Sequence, residues 1–138
     1  MSLKHELIDG LNEDLNRELA AMLRYLYHSA TATSLLGHEL RELLKSDIAG
    51  ELEHAVFLAD KIAALGGEVK IQPSMPKRVR SAKEMLEENA AAEREIVTSY
   101  SERIKQAEEF GDKGLVIRLE DILAAETDHA EELERLGR

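Results

Sequence analysis

Glu51-Leu52-Glu53-His54 places a carboxylate and an imidazole three residues apart in a stretch where apolar residues recur at helical spacing. Because three residues is slightly less than one helical turn, Glu51 and His54 project from the same face of the helix. A carboxylate and an imidazole held in this way can bind one metal ion. The motif is weak alone, since glutamate is common on helices, but Glu126-Thr127-Asp128-His129 repeats it in the second half of the chain.

The offset that takes Glu51 to Glu126 also relates other positions in the two halves of the chain. The further matches are Glu18 with Glu93, Tyr25 with Tyr100 and Leu58 with Leu133. Each half therefore contains a glutamate, then a tyrosine two helical turns later, then a Glu-x-x-His motif at the same distance from the first glutamate. The repeat predicts two copies of one helical hairpin, each of which carries half of a site.

Apolar residues at three- and four-residue spacing predict four helices. The first runs from residue 3 to about 35, before a turn at Gly37, and the second ends at Gly66-Gly67, since glycine is common at helix C-termini. The third helix follows a capping box at Ser81-Ala82-Lys83-Glu84. The fourth lies between a turn at residues 111–114 and residue 136.

Residues 66–80 form a connector that holds Gly-Gly, both prolines and a short basic run. Fully extended, this connector would cover up to about 50 Å, whereas a helix of roughly 28 residues is about 42 Å long. The connector is therefore long enough to cross the length of a bundle. We predict an all-α fold in one domain, residues 1–138, in which a long crossover joins two helical hairpins into a four-helix bundle.

The composition excludes several classes of protein. The chain has no cysteine, which excludes disulfides, thiolate zinc sites and iron–sulfur clusters. Its formal charge of −10 argues against binding to nucleic acid, which needs clustered lysine and arginine. No apolar run approaches the roughly 18 residues that a membrane span requires. Residues 1–6 lack the apolar core of a signal peptide, so we expect a cytoplasmic protein.

Four glutamates interrupt the apolar stripes of the predicted helices, at positions where the pattern calls for leucine. An ionised carboxylate in a core costs several kcal/mol unless it is paired or bound to metal. Each of these glutamates lies near the middle of its helix, so they and the two histidines should meet at one depth of the bundle. The residues are Glu18, Glu51, Glu93, Glu126, His54 and His129.

Two divalent cations would balance the charge of four such carboxylates. Oxygen donors with one nitrogen per metal suit iron or manganese better than structural zinc, which prefers cysteine and histidine in a tetrahedral site. Zinc is a further alternative, since its affinity for such donors exceeds that of ferrous iron.

With these motifs the sequence resembles the ferritin-like di-iron carboxylate proteins, and most closely bacterioferritin, over residues 5 to 136. The resemblance implies a ferritin-like four-helix bundle that binds two iron ions. It further implies a role for each of the six side chains: Glu18 and His54 as terminal ligands of one iron, Glu93 and His129 as terminal ligands of the other, and Glu51 and Glu126 as bridges between them.

The resemblance also implies roles for residues around the iron ligands. Tyr25 would form a hydrogen bond near Glu93, and the internal repeat extends this role to Tyr100 near Glu18. Asp47 lies on the core face one turn before the Glu-x-x-His motif of the second helix. We expect Asp47 to guide iron or to orient a ligand.

Two departures from bacterioferritin bear on its other properties. Bacterioferritin binds haem between two subunits through a methionine that follows the first glutamate of the second helix. Leu52 occupies that position here, so we predict no haem. Bacterioferritin also has a short fifth helix that helps to close its cage, and the helices predicted here end at residue 136. This difference weighs against bulk iron storage in a shell of many subunits.

The expected function is a ferroxidase or oxidase activity, in which oxygen or hydrogen peroxide oxidises Fe(II) at the dinuclear site. An iron-binding or iron-storage assembly is one alternative, and a di-iron or di-manganese peroxidase, catalase or oxygenase is another. Any reductant would be an external electron donor, since the chain contains no separate electron-transfer domain.

A second apolar stripe, off the main core face, predicts a partner surface on the first two helices. We expect a homodimer through this stripe. It consists of Leu19, Leu23, Leu26 and Tyr27 on the first helix and Leu52, Val56 and Ala59 on the second.

Overall fold

The computed structural model describes residues 2–138, which form four long α-helices joined in two hairpins. The helices are α1 (Leu3–Thr31), α2 (Ser34–Ala64), α3 (Ala82–Phe110) and α4 (Lys113–Leu136). Helices α1 and α2 form one hairpin, α3 and α4 form the other, and α1 packs against α3 between them. The predicted all-α class is confirmed. Over residues 2–138, no helix combines the length and the apolar character that a membrane crossing requires.

The turn between α1 and α2 differs from the prediction of a helix to about residue 35 with a turn at Gly37. The helix ends at Thr31, and Ala32 and Thr33 are extended. The residue with left-handed backbone at this turn is Ser34, with φ of 74°. Glycine usually occupies such a position, so the sequence did not indicate a turn there. Gly37 instead lies buried in the first turn of α2, where a β-carbon would come within 3.0 Å of the carbonyl carbon of Ala32. Glycine is needed there for close approach of the chain.

The connector between the hairpins, residues 65–81, contains no regular secondary structure and runs along α1. The side chain of Asn12 donates to the carbonyl of Glu68 and accepts from the amide of Lys70, both at 2.9 Å. One turn later, Asn16 donates to the carbonyl of Lys70 at 2.7 Å and accepts from the amide of Gln72 at 2.6 Å. Two asparagines on one helical face therefore satisfy the backbone of an extended segment that no sheet pairs.

Because the connector follows α1 towards its C-terminal end, α3 begins at the end of the bundle opposite the end of α2. Met75 and Pro76 border the same apolar pocket as Leu26 and Ala30, which are near the end of α1. Helix α3 then begins at the predicted capping box, where the Ser81 side chain accepts from the amide of Glu84 at 3.2 Å. Helices α2 and α3 therefore run parallel, as a long crossover requires.

The second hairpin turns on two residues. Gly111 ends α3 in the left-handed conformation, with φ of 89°, and Asp112 caps α4 by accepting from the amide of Leu115 at 3.0 Å. Lys61 of α2 pairs with Asp112 and so ties the first hairpin to this turn. The turn predicted at residues 111–114 is therefore shorter than expected, because the aspartate cap allows the helix to begin at Lys113.

Candidate metal centre

Halfway along the bundle the apolar core gives way to four glutamates, one from each helix. All four are fully buried, and leucines fill the core above and below them. The spacing that makes each helix amphipathic also places these side chains on the inward face, so the helices themselves bring the carboxylates together. The four residues are Glu18, Glu51, Glu93 and Glu126.

The six side chains singled out in the sequence lie in two overlapping groups. Within each group, one donor atom from every residue lies within 4.8 Å of the others, close enough to surround a metal ion. Glu51 and Glu126 are members of both groups. The first group adds Glu18 and His54 to this pair, and the second adds Glu93 and His129.

Both histidines face the carboxylates with Nδ1. His54 Nδ1 lies 3.3 Å from Glu18 Oε2 and 2.8 Å from Glu126 Oε1. His129 Nδ1 lies 3.0 Å from Glu51 Oε1 and 3.5 Å from Glu126 Oε2. The histidine side chains are 15% and 17% exposed, whereas the carboxylates are fully buried. The centre therefore meets solvent at its imidazoles.

Several donor atoms of the centre are buried and make no well-aligned hydrogen bond within residues 2–138, although His129 Nδ1 lies 3.0 Å from Glu51 Oε1. Such atoms are rare in folded proteins because their desolvation is not compensated. Here they cluster on one side-chain constellation and consist of carboxylate oxygens and one imidazole nitrogen, which are the donors that divalent cations bind. The residues present therefore fit a pair of metal ions. The atoms are Glu51 Oε1, Glu51 Oε2, Glu93 Oε2, Glu126 Oε2 and His129 Nδ1.

Two buried tyrosines form hydrogen bonds with Glu18 and Glu93, the two carboxylates that each belong to only one of the groups. Tyr100 on α3 donates its hydroxyl to Glu18 Oε1 on α1 at 2.9 Å, and Tyr25 on α1 donates to Glu93 Oε1 on α3. Burial raises the pKa of both tyrosines, and the nearby carboxylates raise it further, so both phenols keep their protons and act as donors. The two bonds cross between the hairpins and fix the two terminal carboxylates.

Burial and mutual repulsion favour the protonated form of three of the four carboxyls when no metal is bound. Burial raises the pKa of Glu51 and of Glu93 to about 10, with a further increase from neighbouring carboxylates. Burial also raises the pKa of Glu18 well above its usual value. At pH 7 the metal-free centre therefore holds protons at the positions where cations would bind.

Glu126 and His129 form the charged pair of the metal-free centre. Burial would raise the pKa of Glu126, but the nearby imidazole rings of His129 and His54 outweigh it and lower that pKa. Burial likewise lowers the pKa of His129, but its contacts with Glu126 and Glu51 raise it to about 11. One carboxylate and one imidazolium then balance each other's charge.

Loading this centre with two divalent cations is expected to release at least three protons per chain at pH 7, because metal ligands must be deprotonated. These protons come from Glu51 and Glu93, whose pKa is about 10, and from His129, whose pKa is about 11, and the raised pKa of Glu18 adds to the release. The affinity should therefore rise as the pH increases from about 6 towards 10. The release can be measured with an indicator dye during anaerobic Co(II) titration in weak buffer. Release of less than one proton per chain would contradict these protonation states.

Asp47 lies beside the second group of donors. Its carboxylate oxygen Oδ1 is 3.4 Å from Nε2 of His129, the ring nitrogen that faces away from the centre. Burial raises the pKa of Asp47, and His129 partly counters that increase. The structure thus places Asp47 next to a candidate ligand and outside both groups of donor atoms.

Two buried polar pairs between α1 and α3 flank the centre, and neither pair was predicted from the sequence. Asp14 accepts from Nε of Arg103 at 2.7 Å, and the side-chain amide of Asn89 contacts His28 Nδ1 at 2.8 Å. The offset of the internal repeat relates Asp14 to Asn89 and His28 to Arg103, so the pairs occupy equivalent places. Comparing the two halves for identical residues does not reveal these pairs, because the equivalent positions hold different residue types. Polar residues at positions where the helical spacing calls for core residues could have indicated them.

A family model described as Ferritin, ferritin-like domain, matches residues 8–137. The chain belongs to this ferritin-like family. Bacterioferritin of Mycobacterium leprae (strain TN) is 31% identical over 125 residues, which cover 90% of this chain and 79% of that protein. A bacterial ferritin of Pseudomonas aeruginosa is 33% identical over 135 residues, which cover 94% and 85%.

Among solved structures, a ferritin-like di-iron carboxylate protein from Bacillus anthracis str. Ames superposes on the ferritin-like chain with a TM-score of 0.95. It is 40% identical, and the match covers all of both chains. The predicted resemblance to ferritin-like di-iron carboxylate proteins is confirmed at the level of family and fold.

Proposed function

We propose that this ferritin-like protein binds two iron ions between its four helices and oxidises Fe(II) with oxygen or hydrogen peroxide. The observation that carries the proposal is a set of buried carboxylate and imidazole donor atoms that lie in two overlapping groups and make no well-aligned hydrogen bonds. Two groups that share Glu51 and Glu126 would hold two cations close together, which favours two-electron chemistry over two separate binding sites. Manganese fits the same donors, so metal analysis belongs to the test.

The side chains would divide the work by their position. Two ferrous ions together supply the two electrons that reduce oxygen to hydrogen peroxide, or hydrogen peroxide to water. Glu51 and Glu126 neutralise charge at both positions, and the tyrosine hydroxyls orient the two terminal carboxylates. The partly exposed histidine rings place the centre within reach of ions and small oxidants that arrive from solvent.

The test is an anaerobic titration of the metal-free protein with Fe(II), followed by addition of oxygen or hydrogen peroxide. We expect saturation at about two ions per chain. Both ions should be oxidised in a single kinetic phase, because Glu51 and Glu126 belong to both groups of donor atoms. Oxygen consumption and near-ultraviolet absorbance report the oxidation. Uptake far beyond two ions per chain would favour storage in an assembly, and a chain that binds neither iron nor manganese would overturn the proposal. The Glu53→Gln variant, which alters an exposed acid of α2, is the matched control.

We also propose that two copies associate through the outer face of α1 and α2. Leu26 on α1 is 58% exposed, and Leu52 and Val56 on α2 are 48% and 52% exposed. Apolar side chains this exposed on adjacent helices favour a protein partner over solvent. A leucine at position 52 offers no thioether to a haem iron, so the proposed dimer contains no haem.

The dimer proposal predicts that Leu26→Glu and Val56→Glu each lower the mass measured by light scattering from two chains to one. Ile117→Glu is the matched control, because Ile117 is 50% exposed but lies on α4. A wild-type mass of one chain, or an equal effect of all three substitutions, would overturn the proposal.

A further inference from the structure

The internal repeat relates every candidate ligand to a residue of the same type in the other half of the chain. It does not do so for Asp47, the carboxylate that contacts the outer nitrogen of His129. Glu18, Glu51 and His54 correspond to Glu93, Glu126 and His129 in the repeat. The same offset relates Asp47 to Ile122, a buried apolar residue. One half of the centre therefore has a carboxylate where the other has a hydrocarbon side chain.

The carboxylate that has no counterpart in the repeat, that of Asp47, contacts one of the two imidazole rings, that of His129. His129 faces the centre through Nδ1, and its Nε2 lies 3.4 Å from the Asp47 carboxylate. Over residues 2–138, the carboxylates that pair with the His54 ring are Glu18 and Glu126, and both face Nδ1. The carboxylates near His54 thus belong to the centre itself, whereas His129 has an additional one behind it.

A carboxylate in this place has a known physical effect on a metal-ligating histidine. It accepts the remaining ring N–H, fixes the tautomer and orientation of the ring, and makes the ligating nitrogen more basic. It also adds a negative charge close to one cation position and farther from the other. Within the part of the chain that the structure describes, the other side chain that contacts the Asp47 carboxylate through a hydrogen bond is Ser46, at 3.4 Å.

We infer that the two cation positions are unequal, that the one formed with Glu93 and His129 fills first, and that Asp47 is the positioning residue responsible. This inference rests on the proposed function, since it assumes that the centre binds two cations. Asp47 should affect only the cation position formed with Glu93 and His129. A general effect of lost charge or of altered folding would instead change both positions.

The test uses Co(II), which binds without being oxidised under anaerobic conditions and reports its ligands by absorbance. Calorimetric titration of the wild-type protein should show two binding steps of unequal affinity. Asp47→Asn keeps the size of the side chain and removes its charge. It should weaken the tighter step by about 10- to 100-fold, the range found when outer partners of metal ligands are removed. Asp47→Glu should restore part of the difference.

Two further backgrounds identify which position Asp47 affects. Glu18→Gln removes a donor of the His54 group alone, and Glu93→Gln removes a donor of the His129 group alone. Adding Asp47→Asn to Glu18→Gln should weaken the remaining ion by the same factor of about 10 to 100. Adding it to Glu93→Gln should change the remaining affinity less than about threefold, since that ion lies in the other group. Asp60→Asn, an exposed acid on the same helix, is the control for lost charge.

The outcomes separate the inference from the proposed function. Equal wild-type steps, unequal steps that persist in Asp47→Asn, or equal weakening in both backgrounds would overturn the inference while leaving a dinuclear centre in place. Absence of any binding by the wild-type protein would overturn both. Thermal unfolding of the metal-free variants, followed by circular dichroism, verifies that each one is folded before its titration is compared.

Discussion

Replacing Glu51 with glutamine is expected to weaken divalent cation binding at both positions by on the order of 100-fold or more. Glu51 belongs to both groups of donor atoms, so one substitution removes an anionic donor from each. Loss of an outer partner of a metal ligand already costs about 10- to 100-fold, and Glu51 would be a direct ligand of both ions. Oxidation of Fe(II) should fall with the binding.

The same substitution should leave the bundle folded, which makes the binding result interpretable. Burial raises the pKa of Glu51 to about 10, so the metal-free protein already holds a neutral side chain there at pH 7. A glutamine amide has nearly the shape of that protonated carboxyl. The melting temperature of the metal-free variant should therefore stay close to that of the wild-type protein.

Glu18→Gln provides a comparison within the centre, since Glu18 belongs to one group only. It should abolish one binding step and spare the other, whereas Glu51→Gln weakens both. Anaerobic calorimetry with Fe(II) or Co(II) distinguishes these results. Two ions bound by Glu51→Gln with wild-type affinity would refute the shared role of this carboxylate.

The fold and the convergence of polar residues could be predicted because both follow from periodic spacing along the chain. A residue on the inward stripe of a helix stays inward whatever the crossing angle, and mid-helix residues meet at one depth of the bundle. The repeat then determines which residues face each other. The length of the connector was sufficient to predict the crossover, and Asn12 and Asn16 now explain why it follows α1.

Details that depend on non-repeating contacts could not be predicted. The turn after Thr31 is made by Ala32, Thr33 and a left-handed Ser34, none of which marks a turn as strongly as Gly37 does. Which nitrogen of His129 faces the centre depends on a side-chain rotation that no sequence pattern encodes. The contact with Asp47 follows from that rotation.

Buried polar pairs are the largest feature that the sequence analysis left out, and one of them should control stability. Arg103 donates to Asp14 at 2.7 Å and to Gln106 at 2.6 Å, and Ser99 also donates to Asp14 at 2.6 Å. The guanidinium lies against the backbone of Gly10, where a β-carbon would come within 1.7 Å of it. The glycine thus leaves room for an arginine within the packed interface of α1 and α3.

Replacing Arg103 with methionine is expected to lower the free energy of unfolding by about 3–5 kcal/mol at pH 8, the usual cost of breaking a buried ion pair from one side. The loss should be smaller at pH 5. Burial raises the pKa of Asp14 while Arg103 lowers it, so removal of the arginine raises that pKa further. Asp14 then takes up a proton in the folded variant, and the stability of this variant falls as the pH rises through its folded-state pKa.

Asp14→Leu combined with Arg103→Met should recover most of the loss, because replacing both members of a buried pair with apolar residues is often neutral. Urea unfolding of the metal-free proteins at pH 5 and pH 8 measures all three variants on one scale. Arg94→Met is the control, since Arg94 forms an exposed ion pair with Glu134 that solvent screens and that should contribute little to stability. A loss at pH 8 no larger than that control would show that Asp14 is stabilised by Ser99 and solvent, and that the pair is dispensable.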